Sequence, residues 1–312
     1  MVHRTYADLK AIGFGCLVVL LILAEGQGHA AEPSAQLTVA VVSPRCVFGD
    51  VEANLSHFTE LIAEAAAKRA RLICFPELAL TSYSTHADVL RSAEEIPGPT
   101  TKKLEGIAKR LDVYISVGMV ERDGDGHHIA QILVGPQGYL GKYRKNHPTG
   151  GEQACGFAPG KSFPTWEIDG FRFGILICYD GRHQDTIEAM KKAHVDVIHH
   201  PHGNTIGGLG REAEEWTRSK MVYFVPRAVQ ARAHILVNNS AEDTQQPHAT
   251  LQYASGALIV DALGQVVRRT TQKDRKEKMI IATLKKPQAS IPIGELLKLQ
   301  ADPVFKSRFK LK

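Results

Sequence analysis

Three short segments carry side chains that could perform acyl-transfer chemistry. They are Phe75-Pro76-Glu77-Leu78, Gly141-Lys142-Tyr143-Arg144-Lys145-Asn146-His147 and Gly174-Ile175-Leu176-Ile177-Cys178-Tyr179-Asp180. They offer a carboxylate, an ammonium and a thiol, the parts that thiol-dependent acyl transfer uses as base, oxyanion partner and nucleophile. Taken singly, each has an ordinary explanation. A Glu after a strand caps or is solvated, a Lys in a basic run is wet surface, and a Cys in an apolar strand is a small core residue. Each segment places its reactive side chain just past a predicted strand end, where open α/β sheets place their sites.

The elements that must position them are legible as hydrophobic periodicity. Residues 37–42 form a β-branched run. Residues 51–68 carry Leu55, Phe58, Leu61, Ile62 and Ala65 at helical spacing behind Asp50, a suitable N-cap. Strands are predicted at 71–75, 113–117, 129–134 and 139–143, with a helix at 100–110. A hairpin spans 165–177 around Asp169-Gly170. Helix 185–192, strand 195–199 and helix 211–222 follow; Pro226 then opens a separate helix over 227–233. Strands 235–239, 256–261, 265–269 and 279–284 close the pattern. Strand–helix alternation mixed with hairpins implies mixed sheets covered by helices, an α/β sandwich.

The three segments in this order resemble the catalytic blocks of the carbon–nitrogen hydrolase (nitrilase) superfamily, whose pattern is Phe-Pro-Glu, then Tyr-Arg-Lys-x-His, then Ile-Cys-Tyr-Asp. Phe157-Ala158-Pro159-Gly160, Arg227-Ala228, Asn238-Asn239 and Ser255-Gly256 add flanking agreement. The resemblance runs from about residue 37 to 284. It implies a four-layer α-β-β-α sandwich and catalysis by Glu77, Lys145 and Cys178 without a cofactor. Cys178 would attack a carbonyl, Glu77 would take and return its proton, and Lys145 would hold the oxyanion together with the backbone N–H of Tyr179. Glu152 stands where the family carries a second glutamate and would orient Lys145 or the substrate. The resemblance also implies at least a homodimer.

For the substrate, Cys178-Tyr179-Asp180 leans to amides or N-carbamoyl compounds, with nitriles as the near rival. Arg182 lies where carbamoyl-amino-acid hydrolases hold a substrate carboxylate, and a guanidinium fork suits that group; a plain surface Arg is the other reading. The stretch Gly181-Arg182-His183-Gln184-Asp185 departs from the family pattern at the pocket rim. His200 and Asn204 are pocket-lining candidates, as are His147 and Trp216, the latter equally a core residue. His194, His199, His200 and His202 suggest a metal, but neighbours on a strand face opposite ways, so His199 and His200 cannot share an ion; no metal is expected. The glycines at 207, 208 and 210 read as a mobile loop rather than a phosphate cradle, since no Lys-Ser/Thr follows. An acyltransferase of this superfamily would need several membrane helices, and a papain-like Cys–His protease would need a different motif around Cys178.

Composition excludes other classes. Of 312 residues, 44% are hydrophobic and 23% charged, as in packed globular proteins. The net charge of +5 is scattered apart from Lys306, Arg308, Lys310 and Lys312, so no nucleic-acid partner is expected. Five cysteines are too few for a disulfide scaffold, and Cys74 and Cys178 read as buried strand residues. Arg4 and Lys10 precede an apolar stretch over 11–24, followed by Gly28-His29-Ala30-Ala31. That is the pattern of a signal peptide over 1–30 and of export to the periplasm or beyond, without stable membrane insertion after cleavage; an uncleaved anchor is the alternative. One catalytic domain is then expected over 31–286, with a tail over 287–312 at the surface or a subunit interface.

Overall fold

The computed structural model describes residues 35–206 and 212–287. The expected signal peptide, the glycines at 207, 208 and 210 and nearly all of the tail lie outside them. Two six-stranded mixed sheets dominate. Sheet one runs β14-β1-β2-β3-β4-β5, formed by β1 (Gln36–Ser43), β2 (Leu72–Cys74), β3 (Tyr114–Asp123), β4 (Gly126–Gly135), β5 (Gly138–Arg144) and β14 (Lys278–Lys285). Sheet two runs β13-β12-β9-β8-β7-β6, formed by β6 (Thr165–Ile168), β7 (Phe171–Ile175), β8 (Val197–His202), β9 (His234–Asn239), β12 (Ala257–Val260) and β13 (Val266–Arg269). Each sheet has three parallel strands at its centre, β1-β2-β3 and β7-β8-β9, with antiparallel pairs outside them.

Side-chain alternation builds the layers. Along β1, Leu37, Val39 and Val41 enter the core shared with sheet two, while Ala40 and Val42 face the other way. That outer face is covered by α1 (Val51–Ala67) and α2 (Pro99–Leu111) through Leu55, Phe58, Ile62, Leu104 and Ala108. Asp50 caps α1 by accepting from Ala53 N at 2.9 Å, as expected. A short α3 (Gly150–Cys155) follows, begun by a Thr149–Glu152 capping box that offsets the poor propensity of its paired glycines. Sheet two is covered by α4 (Gln184–Lys192) and α5 (Ala213–Ala231) through Ile187, Met190, Trp216 and Phe224. The order is helix, sheet, sheet, helix, the expected four-layer sandwich.

A buried polar bridge ties the sheets together. Asn238 on β9 donates to Val42 O and Cys74 O of sheet one, both at 2.8 Å. Its side-chain oxygen meets His199 Nε2 at 3.2 Å, and His199 Nδ1 meets Ser116 Oγ on β3 at 2.8 Å. Gln131 Nε2 extends the network to Phe75 O at 2.9 Å, two residues before Glu77.

Two expectations need correction, and one element was not anticipated. Pro226 does not open a second helix: α5 is continuous from 213 to 231 with Pro226 inside it. The proline removes one ladder bond, but Val222, whose carbonyl loses its donor, is 54% exposed, so water can serve it. β8 runs on to His202 because Pro201 and His202 pair with Asn238 and Asn239. The small hairpin of β10 (Asp243–Gln245) and β11 (Thr250–Gln252) escaped notice because its strands are short and polar and lack an apolar alternation.

Candidate active site

Glu77, Lys145, Cys178 and Asn204 all follow strand ends: β2, β5, β7 and β8. Glu77 is carried by a loop that crosses β3 at Gly118. A Cβ built there would meet Leu78 N at 2.4 Å and Pro76 O at 2.7 Å, so only glycine lets this backbone pass. Leu78 itself has φ +50°, and Cys178 has φ +45°. Positive φ at non-glycine residues costs free energy and clusters at functional sites. Cys178 is therefore not the buried strand residue expected. It is half-buried and begins a 3-10 turn, Cys178–Arg182, three residues past the end of β7.

Lys145 is the centre of the site. Its Nζ donates to Glu77 Oε1 and to Glu152 Oε1, both at 2.7 Å, with all three side chains fully buried. Tyr83 Oη adds a 2.9 Å bond to Glu152 Oε1, and Glu152 Oε2 accepts from Thr149 N at 2.7 Å. Glu77 Oε2, by contrast, is buried and has no hydrogen-bond partner among the described residues. Burial pushes the Glu77 carboxyl up to about 7 against the pull of Lys145. Burial and then the Glu77 charge push the Cys178 thiol up to about 12, opposed by Lys145 and Lys220. Lys145 is raised further by the charges of Glu77, Cys178 and Glu152, which outweigh its desolvation.

Asp180 ties the cysteine turn to the lysine segment, a role that the sequence reading missed. It accepts from Ile177 N (2.9 Å), Tyr143 Oη (2.7 Å) and His147 N (2.8 Å), and His147 Nδ1 lies 3.1 Å away. A carboxylate with several donors is a strong acceptor, so this turn is firmly anchored. Asn204 also joins the group: its Nδ2 lies 3.7 Å from Cys178 Sγ, and its Oδ1 accepts from Trp216 Nε1 at 3.2 Å. A cleft of about 390 Å³ opens between Tyr83, Thr85, Asn204, Ile206 and Leu251, beside these residues.

The remaining candidates fall elsewhere. Tyr179 is 37% exposed on the turn. Arg182 is exposed, its guanidinium 5.8 Å from the Tyr179 ring centroid and 5.5 Å from that of Tyr223, on the rim. His200 does not join the lysine cluster. Because β8 continues through it, His200 turns toward α5, fully buried against Phe224 and Gly181, while His199 faces sheet one. Among the described residues, two groups have donors close enough for a metal, His86/Asp88/His248 and His147/His183/Asp185. In the second, the His147 and His183 rings stack at 3.7 Å and 9°, so their lone pairs run side by side rather than converging. Cys46, Cys74, Cys155 and Cys178 are all unpaired.

The fold is a four-layer α/β sandwich with a buried lysine–carboxylate cluster beside a cysteine turn at its strand ends. Residues 38–290 match the family model for carbon–nitrogen hydrolases, and the chain belongs to that family. It is 36% identical over 152 residues to a nitrilase of Pyrococcus abyssi, a match covering 47% of this chain and 58% of that protein. An aliphatic nitrilase of Sinorhizobium fredii is 28% identical over 254 residues, covering 73% of this chain and 80% of that one. An amidase of Nesterenkonia sp. has the same fold, with TM-score 0.68 and 18% identity over 88% of this chain and 99% of that one.

Gly118→Ala tests how tightly Glu77 is placed. The added methyl must push the backbone at Pro76–Leu78 away, at a cost of roughly 1–3 kcal/mol. We expect a folded protein with a lowered melting temperature and at least tenfold lower turnover. Wild-type turnover would show that the loop has slack.

Proposed function

We propose that this carbon–nitrogen hydrolase is a thiol amidohydrolase acting on an amide or N-carbamoyl bond through a thioester on Cys178. The observation that carries the reading is the division of labour on Glu77. One oxygen is held by Lys145, while the other is buried and has no partner among the described residues, and the Glu77 charge acts on Cys178. A general base needs a lone pair that is not already in use.

In this mechanism Cys178 Sγ attacks the carbonyl carbon as Glu77 Oε2 takes the thiol proton. Removing the Glu77 charge also removes the strongest electrostatic opposition to a thiolate. The oxyanion is met by Lys145 and the Tyr179 N–H. The tetrahedral intermediate then breaks its C–N bond, and Glu77 returns the proton to the departing amine or ammonia. Water attacks the thioester, with Glu77 again the base, and the acid and the free thiol are released. The Glu152 carboxylate, fixed by Thr149 N and Tyr83 Oη, orients Lys145. In the Nesterenkonia amidase, a variant carries the acetamide moiety of fluoroacetamide covalently at the active-site cysteine, which supports the nucleophile assigned here.

Nitrile hydrolysis is the second reading, favoured by the match to nitrilases. It uses the same nucleophile on a nitrile carbon. Arg182 on the rim is proposed to hold a substrate carboxylate. Export through residues 1–30 and assembly as a homodimer are proposed from the sequence, to be checked by the N-terminus of the mature chain and by light scattering.

Cys178→Ala should abolish hydrolysis while leaving the circular dichroism unchanged, and a thioester on Cys178 should be trapped by mass spectrometry; full activity would remove the mechanism. Because Glu77 acts deprotonated, turnover should rise with pH through about 7, and Glu77→Gln should lose both the activity and that dependence. A panel of amides, carbamoyl-amino acids and nitriles sets the substrate class. On it, Arg182→Ala should raise KM at least tenfold for carboxylated substrates and little for neutral ones. An equal effect on both would exclude the anchor.

A further inference from the structure

Behind the cysteine turn lies a buried cation that the mechanism above does not use. Lys220, on α5, is only 6% exposed. No carboxylate is paired with it among the described residues. Its Nζ instead lies 3.3 Å from His202 Nδ1 and 5.2 Å from the centroid of the Trp216 ring. His202 Nε2 in turn lies 3.1 Å from His200 Nδ1.

The donor order follows from lysine having no lone pair to offer while charged. Lys220 donates to His202 Nδ1, so His202 carries its proton on Nε2 and donates it to His200 Nδ1. His200 then carries its proton on Nε2, which is buried without a partner among the described residues. Burial holds both imidazoles neutral, their pKa values well below the usual histidine range, and the Lys220 charge adds to this. The positive charge of the cluster therefore resides on Lys220.

That charge is connected to the nucleophile by a short line of contacts. The ammonium lies over the Trp216 ring, Trp216 Nε1–H donates to Asn204 Oδ1, and Asn204 Nδ2 lies against Cys178 Sγ. A cation over an indole strengthens its N–H as a donor, and hydrogen bonds in series polarise one another in a low-dielectric interior. His200 is pressed on Gly181 of the same turn, where an added Cβ would come within 2.5 Å of its Nε2. The cluster is thus packed directly behind the residues that present the thiol.

We propose that Lys220 is a second cationic support for the Cys178 thiolate, a positioning residue acting through Trp216 and Asn204 and not on the substrate. The proposal rests on Cys178 being the nucleophile. In the proton transfer, the S–H bond breaks, the proton moves to Glu77 Oε2, and Lys220 keeps its own protons throughout. The titratable and charged groups that act on Lys220 are His202, with His200 behind it, from β8, Cys178 and Arg182 from the turn, and Glu77 from the loop after β2. Burial pulls the ammonium down to about 8, the Cys178 and Glu77 charges push it back up, and Arg182 adds to the pull. The coupling is reciprocal: a thiolate favours the ammonium, and the ammonium favours the thiolate.

The test reads the thiol alone, without substrate. Iodoacetamide labelling of the Cys178 peptide is followed by mass spectrometry as a function of pH in wild type, Lys220→Met, Lys220→Arg and Trp216→Phe. In Lys220→Met the labelling profile should move up by about one pH unit, with about tenfold slower labelling at neutral pH. Trp216→Phe should move it the same way by less. Lys220→Arg should hold the profile low beyond the pH at which the lysine loses its proton. An unmoved profile in Lys220→Met, or a loss by one constant factor at every pH, overturns the proposal. So does an unmoved profile combined with a raised KM for carboxylated substrates, which would make Lys220 a substrate anchor. If Lys220→Met does not fold, Lys220→Arg decides, and a profile equal to wild type above about pH 8 overturns the proposal. Failure of the amidohydrolase reading would show separately, as activity surviving in Cys178→Ala.

Discussion

A lysine ammonium held out of water between two carboxylates is the constraint around which this molecule is arranged. Lys145, Glu77 and Glu152 come from three separate segments and meet at 2.7 Å with no solvent contact. Removing one partner from such a buried set leaves an uncompensated charge, worth roughly 3–5 kcal/mol. Each segment also has its own support: the Glu77 loop packs on Gly118, the Lys145 segment is held by Asp180, and α3 is begun by its capping box. The cluster gains little stability over apolar packing of the same volume. What it provides is a carboxylate with one oxygen occupied and the other free.

The two sheets contribute to this in parallel ways. Each places three parallel strands at its centre, and the loops carrying Glu77, Cys178 and Asn204 leave the carboxyl ends of such strands in both sheets. Glu77 comes from sheet one and Cys178 from sheet two, so their separation depends on how the sheets are spaced. The Asn238–His199–Ser116–Gln131 bridge crosses that gap and reaches Phe75 O, close to Glu77. A polar network in an otherwise aliphatic core sets position through directional bonds, which aliphatic contacts cannot do. Proximity of acid and thiol is thus maintained from beneath as well as at the site.

Much of this was legible in the residues. The alternation along 37–42 and the helical spacing from Leu55 to Ala65 behind Asp50 mark elements whose burial is decided by period alone. Glu77, Lys145, Cys178 and Glu152 were recognisable because their motifs occur in order. Asp180 shows in the sequence only as part of a motif, since its value comes from donors on β5 and His147 that become neighbours only on folding. Lys220 has no local signal: a lysine in a polar helix stretch looks like surface until the helix packs on β8. Pro226 misled because its local rule is sound, and only the exposure of the Val222 side makes an interior proline tolerable. The lone polar hairpin at 243–252 is held by pairing and by its neighbours rather than by its own apolar pattern.

The pairing of β1 with β14 has a consequence of its own. Residues 36–43 bond on one side to residues 278–285, more than 230 positions later. During synthesis, which proceeds from the N-terminus, the first strand of sheet one waits with one edge open until nearly the whole domain has been made. An aliphatic strand such as Gln36–Ser43 with an unpaired edge is prone to wrong partners. The enzyme therefore depends on late closure of its oldest strand, and a nascent or truncated chain lacking residues 278–285 would present that edge to other molecules.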